Sequence, residues 1–427
     1  MAKTGDGDFG GVSRRALMRT LGAGAAAGLL ARSASAEDAI LQRLIEQQGA
    51  AAQGFDSASR AIAMPRSSLP MLSATTVAST ERAIARYQEI AQRGGWSTVP
   101  PVERLRTGDR HPNVAALRRR LAVTGDIDAA IGASDVYDSY VEAAVRRFQA
   151  RNGLLVDGIV REQTFTALNL PVEVRLGQLN INLVRLRAMG GSLGSRFVVC
   201  NIPAAQVEAV QGGAVASRHV GVVGKPDRPS PDIQSRVVEV NFNPYWTVPV
   251  SIVRKDLIPR MQAQPDYLAA NHIRIFDPRG NELNAQQINW YSNDAVNYRF
   301  KQDPGDFNSL GSIRINFPSA HGVYMHDTPS RGAFGEDFRF HSSGCVRIQN
   351  IRELVAWLLD ETPGWSRGEI DRVIRTGDRR DARLTTPVPV YWVYVTAWAT
   401  QDGIVQFRDD IYGRDGVGSM VPTTAKL

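Results

Sequence analysis

Two hydrophobic periodicities divide the chain. Up to about residue 187, apolar side chains recur at three- and four-residue intervals, as in Ile40-Leu41-Leu44-Ile45 and Ile84-Tyr87-Ile90, which predicts helices. Met64-Pro65-Arg66-Ser67-Ser68-Leu69-Pro70 breaks this pattern as a loop, and Val99-Pro100-Pro101-Val102 reads as a linker. A compact helical unit follows, with Leu105, Val114, Leu117, Leu121, Val141, Val145, Phe148 and Leu168 as its candidate core. Residues 173–187 continue as a bridging helix. From Arg196 the period changes. Arg196–Pro203, Val237–Phe242, Ile313–Phe317 and Val390–Val395 read as strands rich in β-branched and aromatic residues. Between about Ser251 and Arg299 the strand pattern lapses into a polar, partly helical stretch. It is expected to be a lid-like insertion, because long insertions in compact domains are commonly functional.

With 427 residues, 43% of them hydrophobic and 22% charged, the chain can bury a core in two or three domains. The net charge of +7 is modest, and +3 of it lies in the first 36 residues, so nothing calls for nucleic acid as a partner. Those residues hold the adjacent Arg14-Arg15, a short apolar run from Leu21 to Ala31 and the small residues Ala34-Ser35-Ala36. The run is about half of what a membrane span needs. Residues 1–36 therefore read as a twin-arginine signal cleaved after Ala36, with export to the periplasm and no transmembrane span in the mature chain. Only five residues are Lys and none has a Ser three positions before it, which excludes a Ser-x-x-Lys acyltransferase. The two cysteines, Cys200 and Cys345, make neither a disulfide framework nor a zinc site, and no metal motif is present.

The chemistry concentrates between His321 and Ile348. His326 opens the string His326-Asp327-Thr328-Pro329, and Ser342-Ser343-Gly344-Cys345-Val346-Arg347 follows a polar loop. A thiol attacks a carbonyl as its thiolate, and an imidazole can take the proton and return it to a leaving amine. A glycine directly before Cys345 permits a tight turn that presents the thiol, with the Gly344 and Cys345 N–H groups as candidate oxyanion donors. Tyr324, two positions before His326, shares its side of a strand, whereas His321 faces the other way. His341 is a second candidate base. Asp327 points away from His326 on a strand, which leaves a backbone carbonyl to orient the imidazole. Taken alone, a Cys and a His nineteen residues apart are equally compatible with a buried structural thiol. Cys200, in a strongly apolar strand, reads as a core residue.

The whole string resembles the active-site motif of the L,D-transpeptidases, and most closely their larger periplasmic branch. In that branch His-Asp-Thr-Pro and Ser-Ser-Gly-Cys-Val-Arg occur as they stand here. Residues 104–170 resemble the three-helix peptidoglycan-binding domain, through Ala144-Val145-Arg146-Arg147-Phe148-Gln149, Gly153-Leu154 and Asp157-Gly158, with Arg161 where the family has Gly. The run to Tyr412 looks like the branch's closing segment. The resemblance implies an α+β multidomain chain. Its expected parts are a helical scaffold (37–100), a peptidoglycan-binding-like domain (101–172), a mainly β L,D-transpeptidase catalytic domain (173–413, insertion about 251–299) and a tail (414–427). It implies Cys345 as nucleophile and His326 as acid/base, with Gly344, Ser343, Tyr324 and Arg347 around the oxyanion and substrate. Ser343 stands where many members carry a histidine, so the base falls to His326. The implied partners are peptidoglycan stem peptides, a tetrapeptide donor and a diaminopimelate acceptor, joined by a 3→3 cross-link without any cofactor. An L,D-carboxypeptidase using the same pair, or a non-catalytic murein-binding scaffold, are the alternative readings.

Overall fold

The computed structural model describes residues 68–132, 134–189 and 193–416. The signal segment and residues 37–67 of the expected scaffold lie outside the described residues. So does most of the tail. No helix among the described residues is long and apolar enough to cross a membrane.

The helical part begins with Thr76–Gln92, which packs its Ala83, Ile84 and Tyr87 against Leu179 and Leu183 of helix Val172–Met189. Between them lie helices Pro112–Val123, Ser139–Arg151 and Glu162–Asn169. Their spacing of apolar residues closes one core around Leu117, Leu121, Val145, Phe148 and Phe165. Asp138 caps the middle helix by accepting the Val141 N–H. Phe148 and Leu117 are fully buried there, so neither is available to a ligand.

The β part is built from β1 (Arg196–Asn201), β2 (Gln206–Gln211), β3 (Ala214–Gly224), β4 (Ile233–Phe242), β5 (Trp246–Thr247), β6 (Ile273–Phe276), β7 (Glu282–Leu283), β8 (Arg299–Gln302), β9 (Ile313–Asn316), β10 (Met325–His326), β11 (Phe340–Ser342), β12 (Val346–Ile348), β13 (Arg380–Val393), β14 (Ala397–Ala399) and β15 (Val405–Phe407). The large sheet runs β11-β3-β12-β10-β9-β4-β13-β1-β2. It closes on itself, because the first half of β3 pairs with β2 and the second half with β12. Val240, Ile313, Ile315, Met325, Val346 and Ile348 all enter one apolar core, which helices Ile351–Leu358 and Arg367–Thr376 cover through Leu354, Val355, Ile370 and Val373. Cys200 is part of that core, as its apolar neighbours imply.

The stretch expected to be polar and partly helical does carry short helices, among them Ile258–Ala263 and Tyr267–Ala270, but it also holds strands that were not expected. Four short strands form a second sheet, β5-β8-β6-β7, with its own core of Val253, Leu257, Leu268, Ile275, Trp290 and Phe300. Strands of two to four residues carry too few alternating positions for the pattern to register in the sequence. This subdomain is inserted between β4 and β9, two neighbouring strands of the large sheet.

Candidate active site

The alternation of β9, β10 and β12 sorts their side chains. Since Ile315, Met325 and Val346 point into the core, Arg314, Asn316, Tyr324, His326, Cys345 and Arg347 take the opposite face. The register aligns Met325 with both Ile315 and Val346, and His326 with both Arg314 and Arg347. Cys345 therefore lies beside Tyr324, one residue step from His326.

The turn before Cys345 depends on Gly344, whose φ of +112° is closed to other residues. Ser342 holds this turn, accepting the Gly344 N–H at 3.1 Å and donating to the Cys345 carbonyl at 2.5 Å. Ser230 donates to the Gly344 carbonyl at 2.8 Å. Tyr412 accepts the Ser230 N–H at 3.1 Å. One expectation is thereby corrected. The Gly344 N–H is engaged by Ser342 Oγ and is not free for an oxyanion, whereas the Cys345 N–H makes no hydrogen bond with the described residues. Ser343 is exposed, and its Oγ accepts from Arg228 at 3.1 Å.

His326 is buried, and its Nδ1 bonds the carbonyl oxygen of Asp327. A carbonyl only accepts, so Nδ1 carries the proton and Nε2 keeps its lone pair. The Asp327 carboxylate turns away to the N–H and Oγ of Ser312, at 3.1 and 3.0 Å. Burial, then the charges of Arg347 and Arg314, bring the imidazole down to about 3, against the Asp327 bond. Burial pushes the Cys345 thiol up to about 11, opposed by the Tyr324 N–H and hydroxyl and by Arg314 and Arg347. Both groups are thus neutral at pH 7. No hydrogen bond joins Sγ to the imidazole, and the partner of the thiol is Tyr324, whose ring lies 5.7 Å from that of His326. Burial and the neighbouring thiol push the Tyr324 phenol up.

Two further histidines are bonded elsewhere. His341 is exposed and holds Glu336 at 2.7 Å, and His219 bonds Ser217 and the Gln349 carbonyl. His321 is exposed in the turn before Val323 rather than on a strand. No group of three or more potential metal ligands occurs among the described residues.

Several residues around the site have no local signal in the sequence. Arg314 lies over the Tyr324 ring at 4.5 Å, and the only hint of it was a charged residue between Ile313 and Ile315. The inserted subdomain reaches the site twice. Trp246 on β5 lies close enough to Tyr324 to oppose the rise of its phenol, and Asp256 grips Arg228, the residue that holds Ser343.

Two segments of the chain are similar to known protein families. Residues 195–389 match the L,D-transpeptidase catalytic domain, and residues 110–168 match a peptidoglycan binding domain. The chain carries an L,D-transpeptidase catalytic domain joined to a peptidoglycan-binding domain. A Haemophilus influenzae protein, provisionally named an L,D-transpeptidase, is 35% identical over 239 residues, or 56% of this chain and 48% of the relative. The chain thus spans about half the length of that curated relative. An L,D-transpeptidase from Mycobacterium smegmatis aligns over 47% of this chain and 58% of its own at 15% identity and a TM-score of 0.24. One from Stackebrandtia nassauensis aligns over 69% and 97% at 12% identity and a TM-score of 0.27. At these scores the two likenesses carry no argument about this chain.

Proposed function

We propose that the protein is a peptidoglycan L,D-transpeptidase, exported to the periplasm, that joins stem peptides by 3→3 cross-links through a thioester on Cys345. The observation that carries this reading is the meeting of Cys345, Tyr324 and a His326 with free Nε2 on one polar face of the sheet.

The reaction follows from that arrangement. As the donor displaces the Tyr324 contact, the Cys345 proton passes to His326 Nε2 and Sγ attacks the carbonyl at the L-centre of the third stem residue, diaminopimelate. The Cys345 N–H and the Tyr324 hydroxyl stabilise the oxyanion. The C–N bond breaks, His326 returns its proton to the departing D-Ala amine, and a thioester remains. The side-chain amine of a second stem then attacks the thioester, forms the new amide and restores the thiol. Because the resting pair is neutral, no stable ion pair must be dismantled first. The insertion, anchored at Trp246 and Asp256, shields the thioester from water, since hydrolysis competes with the amine.

The test is to incubate the purified chain with disaccharide-tetrapeptide fragments and separate the products by chromatography and mass spectrometry. A dimer lighter than two substrates by one D-Ala, absent with Cys345→Ala, is the expected result. Tripeptide without dimer would make the enzyme an L,D-carboxypeptidase. No product at all would favour the murein-binding scaffold and overturn the proposal.

A further inference from the structure

We infer that Arg314 and Arg347 form a clamp for the C-terminal carboxylate of the donor peptide. The inference rests on the acyl-transfer reading above and assigns it a specificity-determining pair, one member of which carries no local motif.

Both arginines stand on the face that bears Cys345, and both align with His326, one on each neighbouring strand. Neither donates a hydrogen bond to any described residue or approaches a carboxylate, and the Nε of each is sealed from water without an acceptor. That combination sets the two apart among the described residues. Arg118, Arg196, Arg228 and Arg339 also have a sealed Nε, yet all four donate through their other nitrogens, to Asp138, Asp360, Asp256 and the Glu336 carbonyl. Carboxylates on and beside the neighbouring strands are already engaged. Glu239 accepts from Asn241 at 2.9 Å and from Asn316 at 3.3 Å, and lies 3.6 Å from Arg383. Asp381 accepts from Asn241 at 2.7 Å, and Asp327 is held by Ser312. Two partly buried guanidinium groups without an anion are costly to hold, and a ligand anion relieves that cost.

The position of His326 selects which anion. The imidazole must deliver its proton to the departing nitrogen. In a peptide ending at that residue, the terminal carboxylate lies two bonds beyond the nitrogen, and therefore enters the row where Arg347 and Arg314 flank His326. Guanidinium groups suit a carboxylate in a bidentate pair. A site built around a charge rejects ligands that lack it far more strongly than an apolar pocket rejects a missing methylene. Donors with an amidated or extended C-terminus should therefore be poor.

Two donors test this: the disaccharide-tetrapeptide with a free C-terminal carboxylate, and the same compound as its C-terminal carboxamide. Acylation of Cys345 is followed by intact mass on the full chain. The free acid is expected to react on the order of 100-fold faster with the unaltered enzyme. Arg314→Gln and Arg347→Gln should each lower that ratio by on the order of 10-fold, whatever happens to the absolute rates. Arg383→Gln, on the exposed rim of the same face, should keep the ratio. If Arg314→Gln does not fold, Arg314→Lys retains the charge but not the fork and should give an intermediate ratio. Equal rates for the two donors in the unaltered enzyme would overturn the clamp, as would Gln variants that slow both donors alike. Failure of both donors to acylate Cys345 would instead overturn the function from which the clamp follows.

Discussion

Cys200 lies within a strand of the large sheet and Cys345 in the turn leading into another, and their surroundings make them opposites. Cys200 sits on β1 in the apolar core, and burial alone pushes its thiol far up. Cys345 is also raised by burial, but Tyr324, Arg314 and Arg347 all pull it back. Reactivity is thus a property of the face and not of the residue. One face of the central strands is filled by Ile315, Met325 and Val346, and the other by groups that can move protons or hold charge.

The contrast is sharpest if each face is broken separately. Cys345→Ala should lower turnover by more than about 1,000-fold, whereas Cys200→Ala should leave turnover within about twofold and lower stability by about 1 kcal/mol. Product analysis and chemical denaturation read the two effects. The next comparison uses neighbours on one strand. His326→Gln should cost on the order of 100- to 10,000-fold in turnover. Met325→Ala, one residue away and facing inward, should cost about 2–5 kcal/mol of stability, read from the denaturation midpoint. A large loss of stability in His326→Gln, with turnover retained, would merge the two faces and break the comparison.

A smaller effect is expected at the edge of the polar face. Asp256→Asn loosens the grip on Arg228 and so on Ser343. It should shift products several-fold from cross-linked dimer toward hydrolysed tripeptide, and an unchanged ratio would exclude the insertion as the water shield. The smallest effect is the titration of the pair. Since the His326 imidazole is held down to about 3, alkylation of Cys345 by iodoacetamide should show no step near pH 6.5 and should climb toward the thiol's value of about 11. The folded state refuses a proton that the unfolded chain accepts below about pH 6.5. The His326 contribution to stability is therefore fully present above that pH and is lost as pH falls toward 3. His326→Gln should flatten that part of the acid denaturation curve.

Much of this was legible in the sequence for local reasons. The helical spacing around Phe148 and the alternation at Ile313–Phe317 and Val237–Phe242 report packing within one element. The His326 and Gly344-Cys345 strings lie on adjacent strands near each other in the chain. The Asp327 carbonyl that orients His326 was inferable because neighbouring strand residues point apart. What stayed hidden arrives from a distance. Arg228 meets Ser343 across 115 positions, and Trp246 and Arg314 join Tyr324 only once the sheet is assembled. The Gly344 N–H was misread because a side-chain acceptor two residues back, Ser342 Oγ, competes for it.

The central claim is that the polar face makes Cys345, and not Cys200, the nucleophile. Intact-protein mass spectrometry of the purified chain with a tetrapeptide donor and no acceptor tests it most directly, followed by proteolysis to locate the adduct. The account predicts an adduct equal to the donor minus D-Ala, carried on the peptide containing Cys345 and absent in His326→Gln over the same interval. An adduct on the Cys200 peptide, or one formed equally fast without His326, would contradict it.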